Sequence, residues 1–384
     1  MYFRQVSFKI RGNEKMTKNE SELKRVIASV GGLDREAMNA AEKRQARLAK
    51  PPGALGRLED LSVQLAGITG KVHNSMDKRV LLVFAADNGV VEEGVSCCPQ
   101  LITLQQTINL TRAKTGAATL CKHFGVEIHV CDVGVYTDIK EPAVINRKIA
   151  YGTNNMVKGP AMTREQAVEA LMTGVEMVET YAKDADAIGI GEMGIGNTTT
   201  SSAILAFLTD SDVEDVTGKG GGVTDESFRR KKEVIKTAIE INKPDKGDVI
   251  DVISKIGGLD IAAMTGAFIA AAANRVPVVI DGFISVVAAL CAVRMCPAVR
   301  DYLVPSHASF EIGYRIAIEE LGLSPMLLLN MRLGEGSGCP LAMEVLGAAC
   351  AIINDMADFD HAGIDDEFLD EIREGDKYTV EGKS

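Results

Sequence analysis

"RVLLVFAAD", residues 79–87, sets seven apolar residues in an unbroken row between an arginine and an aspartate. A row this short and this apolar, followed by Asn88-Gly89, reads as a strand buried on both faces. Four further stretches have the same character: "VEIHVCDVG" (126–134), "ADAIGIG" (185–191), "VPVVIDG" (276–282) and "PMLLLNM" (325–331). Helical stretches lie between and after them: "TLQQTINLTRAKTGAATLCKHF", "TREQAVEALMTGVEMVETYAKD", "TDESFRRKKEVIKTAIEI", "LDIAAMTGAFIAAAANR", "ISVVAALCAVRM" and "CPLAMEVLGAACAIINDM". In the second of these, Thr163 and Gln166 occupy capping-box positions, and Val168, Leu171, Val175 and Val178 form one stripe. Strands alternating with helices predict an α/β fold, a mostly parallel sheet covered by helices on both faces.

Such a sheet binds ligands beyond the carboxyl ends of its strands. The residues leaving the strands therefore matter: Asp87-Asn88-Gly89, Gly191-Glu192, Asp281-Gly282 and Asn330 onward. Three of these exits carry a carboxylate or amide beside glycine, so polar groups are expected to meet at one rim.

Composition narrows the function. The formal charge is −11, which argues against nucleic acid and acidic membranes as partners, since both require a basic face. A small anion needs only a few local donors and stays open. The eight cysteines include no C-x-x-C and no zinc spacing, so they read as reduced thiols of a cytoplasmic protein. Adjacent Cys97-Cys98 cannot make an ordinary disulfide with each other. The N-terminal stretch is expected to lack the apolar core of a signal peptide, and no apolar run reaches the length of a membrane span.

The stretch "GIGEMGIGNTTTSSAIL" (189–205) begins with Gly189-x-Gly191-x-x-Gly194, a match to the dinucleotide fingerprint. A dinucleotide-dependent oxidoreductase would carry that motif at the first strand, with an acid at the end of the next strand. Here the strand is the third, and Glu192 would set negative charge beside a pyrophosphate. The second half of the stretch fits an anion better: Gly194, Ile195, Gly196, Asn197 and Thr198 enter a helix whose free N–H groups can hold a phosphate. The plain alternative is a tight turn with hydroxyl caps. In "NMRLGEGSGCP" (330–340), Glu335 stands between glycines after an apolar run and before a helix. A general base at the rim and a solvated loop glutamate are both open from these residues alone. His307 in "PSHASFEIGY" reads as a hydrogen-bonding loop residue, and neither a hydrolase triad nor a metal-ligand set emerges.

Five motifs in order, "KPPGALGRLE", "FAADNGVVEEGVS", "GEMGIGNTT", "DGF" and "RLGEGSG", make the chain resemble the nicotinate-nucleotide–dimethylbenzimidazole phosphoribosyltransferase family. The likeness runs from about residue 34 to about 360. It implies transfer of phosphoribose from nicotinate mononucleotide to 5,6-dimethylbenzimidazole or a related base. The products are α-ribazole 5′-phosphate, for the cobamide nucleotide loop, and nicotinate. No cofactor and no metal are implied. By the resemblance Glu335 is the base and Glu192 a second carboxylate near the ribose or assisting it. Residues 194–198 and Lys231 take the phosphate. Asp281, Gly282, Ser309 and Arg332 line the nucleotide side, and Cys98, Gln106 and Leu333 the base pocket. Asn88 stands where the family carries histidine, and Cys98 where it carries a small polar residue.

The implied fold is a Rossmann-like parallel sheet plus a small helical domain from the chain ends, in a homodimer. The expected boundaries are a loose extension over 1–20 with Met16 as an alternative start, helical-domain segments at 21–75 and about 340–384, and the catalytic α/β domain at 76–339. The acidic stretch after about residue 360 is expected to be peripheral. A non-catalytic nucleotide sensor on the same fold is the alternative from another class, and two glutamates at the rim favour the enzyme.

Overall fold

The computed structural model describes residues 16–222 and 224–365. Six strands make one sheet: β1 Arg79–Ala86, β2 Glu127–Gly134, β3 Val144–Asn146, β4 Ala187–Met193, β5 Val278–Ile280 and β6 Leu303–Pro305. Their spatial order is β3-β2-β1-β4-β5-β6, and every neighbouring pair is parallel. The sequence order reverses between β1 and β4, where a doubly wound sheet opens its ligand crevice. The α/β class expected from the alternation is the observed one.

Strands β1, β2, β4 and β5 fall on four of the five apolar runs. The fifth run does not join the sheet. Residues 325–331 supply only an isolated bridge, Leu327 beside His307, while Leu328 is 82% exposed and Asn330 turns left-handed at φ +53°. An apolar run marks a segment fit for burial, and here none of residues 325–331 is buried within the chain. Strands β3 and β6 are three residues each and too short to carry a periodicity.

A second departure shapes the site. The stretch read as one helix from Thr103 is two, Leu101–Thr111 and Gly116–Phe124. Ala113 has φ +52°, and Thr115 caps the second helix by accepting the N–H of Ala118. The break frees a helix N-terminus at Gly116-Ala117 that an unbroken helix would have consumed.

The chain forms two compact units. Of the described residues, the larger comprises 16–31 with 78–342, and the smaller 32–77 with 343–365. The helix Lys18–Ser29 thus belongs with the sheet, not with the helical unit as residues 21–75 were expected to. Thr17 and Glu20 close a capping box on it, Leu23 is fully buried, and Glu20 also pairs with Arg164 at 3.1 Å. Residues 18–20 are accordingly part of a helix; 1–15 and the acidic tail from 366 lie outside the described residues. In the smaller unit Ala37, Ala41, Ala66 and Ile353 form a core. Its stiff Pro51-Pro52 turn is fastened by an ion pair, Lys50 to Glu59 at 2.9 Å. Among the described residues no helix is long and apolar enough to cross a membrane.

In the larger unit the helices Leu259–Ala273 and Phe283–Met295 are buried almost end to end. The first crosses Arg164–Tyr181 so closely that a Cβ on Gly174 would strike the Ala263 carbonyl, and one on Gly266 the Leu171 carbonyl. Packing this tight makes the sheet a rigid base for the loops at its rim.

Candidate active site

Strand β4 ends in Met193 and passes through Gly194 and Ile195 to Gly196, whose φ of +94° turns the chain into the helix Asn197–Thr209. Only Thr198 of the hydroxyl run lines the cleft at this turn. Thr199, Thr200, Ser201 and Ser202 are buried; Thr200 donates to the Asn197 carbonyl at 3.0 Å and Ser202 to the Thr198 carbonyl at 2.9 Å. Thr200 and Ser202 thus serve the helix, whereas the Thr199 and Ser201 hydroxyls are buried without a partner. The loop is pinned from outside by Thr103, whose hydroxyl accepts the Ile195 N–H at 3.1 Å and donates to Asp87 at 2.8 Å.

Below the loop lies Lys231, buried on the helix Asp225–Asn242. Its ammonium donates to the Thr198 hydroxyl at 2.8 Å and the Gly218 carbonyl at 3.2 Å. Among the described residues no carboxylate lies within ion-pairing distance of it. Burial pulls its pKa down to about 8, with Glu311 opposing from farther off. A buried cation this poorly compensated marks a place for an anion.

The segment Gly334-Glu335-Gly336 crosses the rim opposite the loop. All three residues are left-handed, at φ +86°, +64° and +87°. Glycine tolerates this; glutamate does not do so freely, and strain of this kind concentrates at functional sites. The strain is held from several sides. The Glu335 N–H donates to Glu192 Oε1 at 3.2 Å, and Asp281 takes the N–H groups of Gly336 and Gly338 at 3.0 and 2.7 Å. The Glu335 carboxylate accepts the Ala117 N–H at 3.1 Å, at the helix start opened by the break. A Cβ on Gly116 would collide with Leu333 Cδ2, so at this glycine the Leu333-Glu335 loop can approach without displacing the leucine.

Glu192 joins the two halves. Its second oxygen accepts from Asn197 Nδ2 at 2.5 Å, and the same nitrogen reaches Asp260 at 3.0 Å. Burial raises the pKa of Glu192 to about 8, with Asp260 and Asp281 adding to it and the Asn197 and Glu335 donors opposing. Burial likewise raises Asp281 to about 7, against three backbone N–H groups, and Asp260 to about 6. His307 is driven down by burial to about 4, so it is neutral, and its Nδ1 faces the Ser306 hydroxyl at 3.0 Å.

One cleft gathers most of the residues singled out in the sequence: Glu192, residues 194–198, Gly282, Ser309, Arg332, Leu333 and Cys98 all line it. Lys231 lies behind Thr198. Asp281 is buried behind the Glu335 loop and shapes that loop instead of facing the cleft. Gln106 stands apart, lining a separate surface cavity with Ile102, Asn109 and Arg112 and accepting from Asn109 at 2.9 Å. Sequence reasoning missed Thr103, Gly116, Ala117 and Asp260. "KTGAATL" does contain the hydroxyl-then-helix signature of an N-terminus. Thr103 and Asp260 carry no local signal, because their partners are 92 and 63 residues away.

A doubly wound sheet with a glycine turn, a poorly compensated lysine and a strained glutamate at its switch point has the layout of an enzyme that handles a phosphorylated small molecule. The family model described as Phosphoribosyltransferase matches residues 30–364. The nicotinate-nucleotide–dimethylbenzimidazole phosphoribosyltransferase of Clostridium perfringens is 49% identical over 93% of this chain and 99% of its own. That of Ruminiclostridium cellulolyticum is 50% identical over 88% and 97%. The crystal structure of the corresponding Thermus thermophilus enzyme superposes with a TM-score of 0.82 at 38% identity, covering 87% of this chain and 99% of that one. The chain belongs to this phosphoribosyltransferase family.

Proposed function

We propose that the protein transfers the phosphoribosyl group of nicotinate mononucleotide to 5,6-dimethylbenzimidazole or a related base, giving α-ribazole 5′-phosphate and nicotinate for cobamide synthesis. Lys231 carries the reading: a buried ammonium beside Thr198, with no carboxylate in reach among the described residues, asks for the substrate's phosphate. The glycine turn adds backbone donors at the start of the helix Asn197–Thr209. The attacking ring nitrogen forms its bond to the anomeric carbon while the bond to nicotinate breaks, and the electron pair of that bond leaves on the pyridine nitrogen. The ring N–H proton goes to Glu335, whose carboxylate the Ala117 N–H aims. Glu192, which lines the cleft, holds Glu335 and Asn197 in register beside the ribose. Ser309, Gly282 and Arg332 border the nucleotide, and Leu333 and Cys98 the base.

Three coarser features belong to the same proposal. The catalytic residues reside wholly in the α/β unit. The protein is a homodimer, supported by Phe310 at 69% and Leu328 at 82% exposure on neighbouring segments joined by the Phe310 N–H to the Met331 carbonyl. It works in the cytoplasm, in keeping with eight free thiols. Sedimentation tests the dimer, which Leu328→Asp should split.

Purified protein incubated with nicotinate mononucleotide and 5,6-dimethylbenzimidazole should release nicotinate, followed by chromatography. No release with any benzimidazole, purine or phenol would rule the activity out.

A further inference from the structure

Cys97 and Cys98 both line the cleft that holds Glu192, the 194–198 turn, Arg332 and Leu333. Their sulfurs lie 3.8 Å apart. The Ser96 hydroxyl fixes the turn that presents them, accepting the Cys98 N–H at 3.1 Å and donating to the Cys98 carbonyl at 3.3 Å. Cys97 is exposed and Cys98 half-buried, whereas the other six cysteines are buried. The structure therefore offers one accessible pair of thiols, already side by side, at the mouth of the substrate cleft.

Three chemistries compete for such a pair. A disulfide would need the sulfurs to close to about 2.05 Å within a strained ring of adjacent residues. A hard cation takes oxygen, not sulfur. A soft centre bound at about 2.3 Å to each of two thiolates holds them roughly 3–4 Å apart, which the pair already satisfies. A resident metal ion wants more ligands than two, and no group of three His, Cys, Asp or Glu side chains suited to a metal occurs among the described residues. The remaining fit is a soft centre that brings its own third substituent and needs only two sulfurs from the protein.

We propose that Cys97 and Cys98 form a dithiol capture site for monosubstituted trivalent arsenicals, and that occupation closes the substrate cleft. Two arsenic–sulfur bonds form, and the arsenic-bound oxygen leaves as water with both thiol protons. Arsenic stays trivalent, so no oxidant or reductant is consumed. Burial, with its neighbour adding to it, holds the Cys98 thiol above the ordinary thiol range. Capture by a thiophile that displaces protons is thereby favoured over air oxidation. The blocking of turnover rests on the function proposed above; formation of the adduct does not.

The full-length protein, reduced and desalted, is treated with one equivalent of phenylarsine oxide and its intact mass measured. The expected product gains one phenylarsine oxide less one water, maps to the peptide holding residues 97 and 98, and is released by 2,3-dimercaptopropanol. Cys97→Ser, checked for an unchanged melting temperature, should lose this product. The treated wild type should lose at least ten-fold in nicotinate release. No adduct, an adduct on another cysteine, one persisting in Cys97→Ser, or a loss of two hydrogens instead would overturn the capture site. An adduct with undiminished turnover would overturn the closure. Untreated protein that never releases nicotinate, yet forms the adduct, would defeat only the enzymatic reading.

Discussion

The backbone N–H of Glu335 donates to Oε1 of Glu192 at 3.2 Å, so one buried glutamate props the strained loop of another. The two carboxylates thus differ in kind. Glu335 presents its side chain at the Ala117 N–H, whereas both oxygens of Glu192 are engaged by Glu335 and Asn197. Glu335→Gln should lower kcat by about 10²-fold or more with nucleotide binding retained, the loss expected for a general base. Glu192→Gln keeps one acceptor but turns an amide towards the Asn197 amide, and should cost less. Single-turnover rates for both variants check the ranking; a larger loss in Glu192→Gln would reverse the roles.

Lys231 gives a prediction with two signs. Lys231→Met removes the ammonium but keeps most of the buried volume. The apparent KM for nicotinate mononucleotide should rise at least ten-fold, while binding of the free benzimidazole stays unchanged. The ligand-free protein should melt at a higher temperature, because a poorly compensated buried charge is removed. Calorimetry beside titration of each ligand measures both. Equal weakening of the two ligands would indicate a folding role for that helix.

The sheet, its parallel sense and most of the rim were legible because buried parallel strands write themselves as apolar runs. Glu335 and Glu192 stood out because each sits beside glycine after such a run. What stayed hidden depends on pairs far apart in sequence. Nothing within "LITLQQ" shows that Thr103 reaches Ile195, nor does "GGLD" show that Asp260 shares Asn197 with Glu192. The missed break at Ala113–Thr115 is a different failure. The first helix ends at a left-handed Ala113 with the Lys114 N–H donating back to the Asn109 carbonyl, and alanine is not the residue that announces such an ending.

Buried carboxylates make stability depend on pH in a definite direction. Glu192 binds its proton more tightly folded, at about 8, than in the unfolded chain, near 4.5. The folded state therefore holds more protons across that window, and the stabilisation is full below it and lost as pH rises through about 8. Asp281 and Asp260 act in the same sense up to about 7 and 6. Lys231, lowered to about 8, acts oppositely but only above that value. The melting temperature of the ligand-free protein should fall between pH 5 and 8 (roughly the carboxylate window), and Glu192→Gln should flatten the upper part of the fall. An unchanged slope in that variant would mean Glu192 is ionised throughout.

Gly116 bears on which base is accepted. Its added Cβ would meet Leu333 Cδ2 and lie 3.6 Å from Glu335 Oε2. Leu333 is 58% exposed, so it can swing away and the fold should survive Gly116→Ala. The displaced leucine then enters the space proposed for the base. A flat bicyclic ring in an apolar slot feels the loss of one methyl's room as about 1–3 kcal/mol. The variant should therefore shift preference from 5,6-dimethylbenzimidazole towards unsubstituted benzimidazole by about 10-fold or more. Purines should remain poor in both proteins, since their extra ring nitrogens would lose water to Leu333 and the weak Cys98 donor without recovering strong partners. Competition between the two benzimidazoles, with adenine as a third arm, measures the shift. Unchanged selectivity alongside a lower kcat would mean that Gly116 serves the Glu335–Ala117 contact alone, and a preference for adenine would show the slot to be polar.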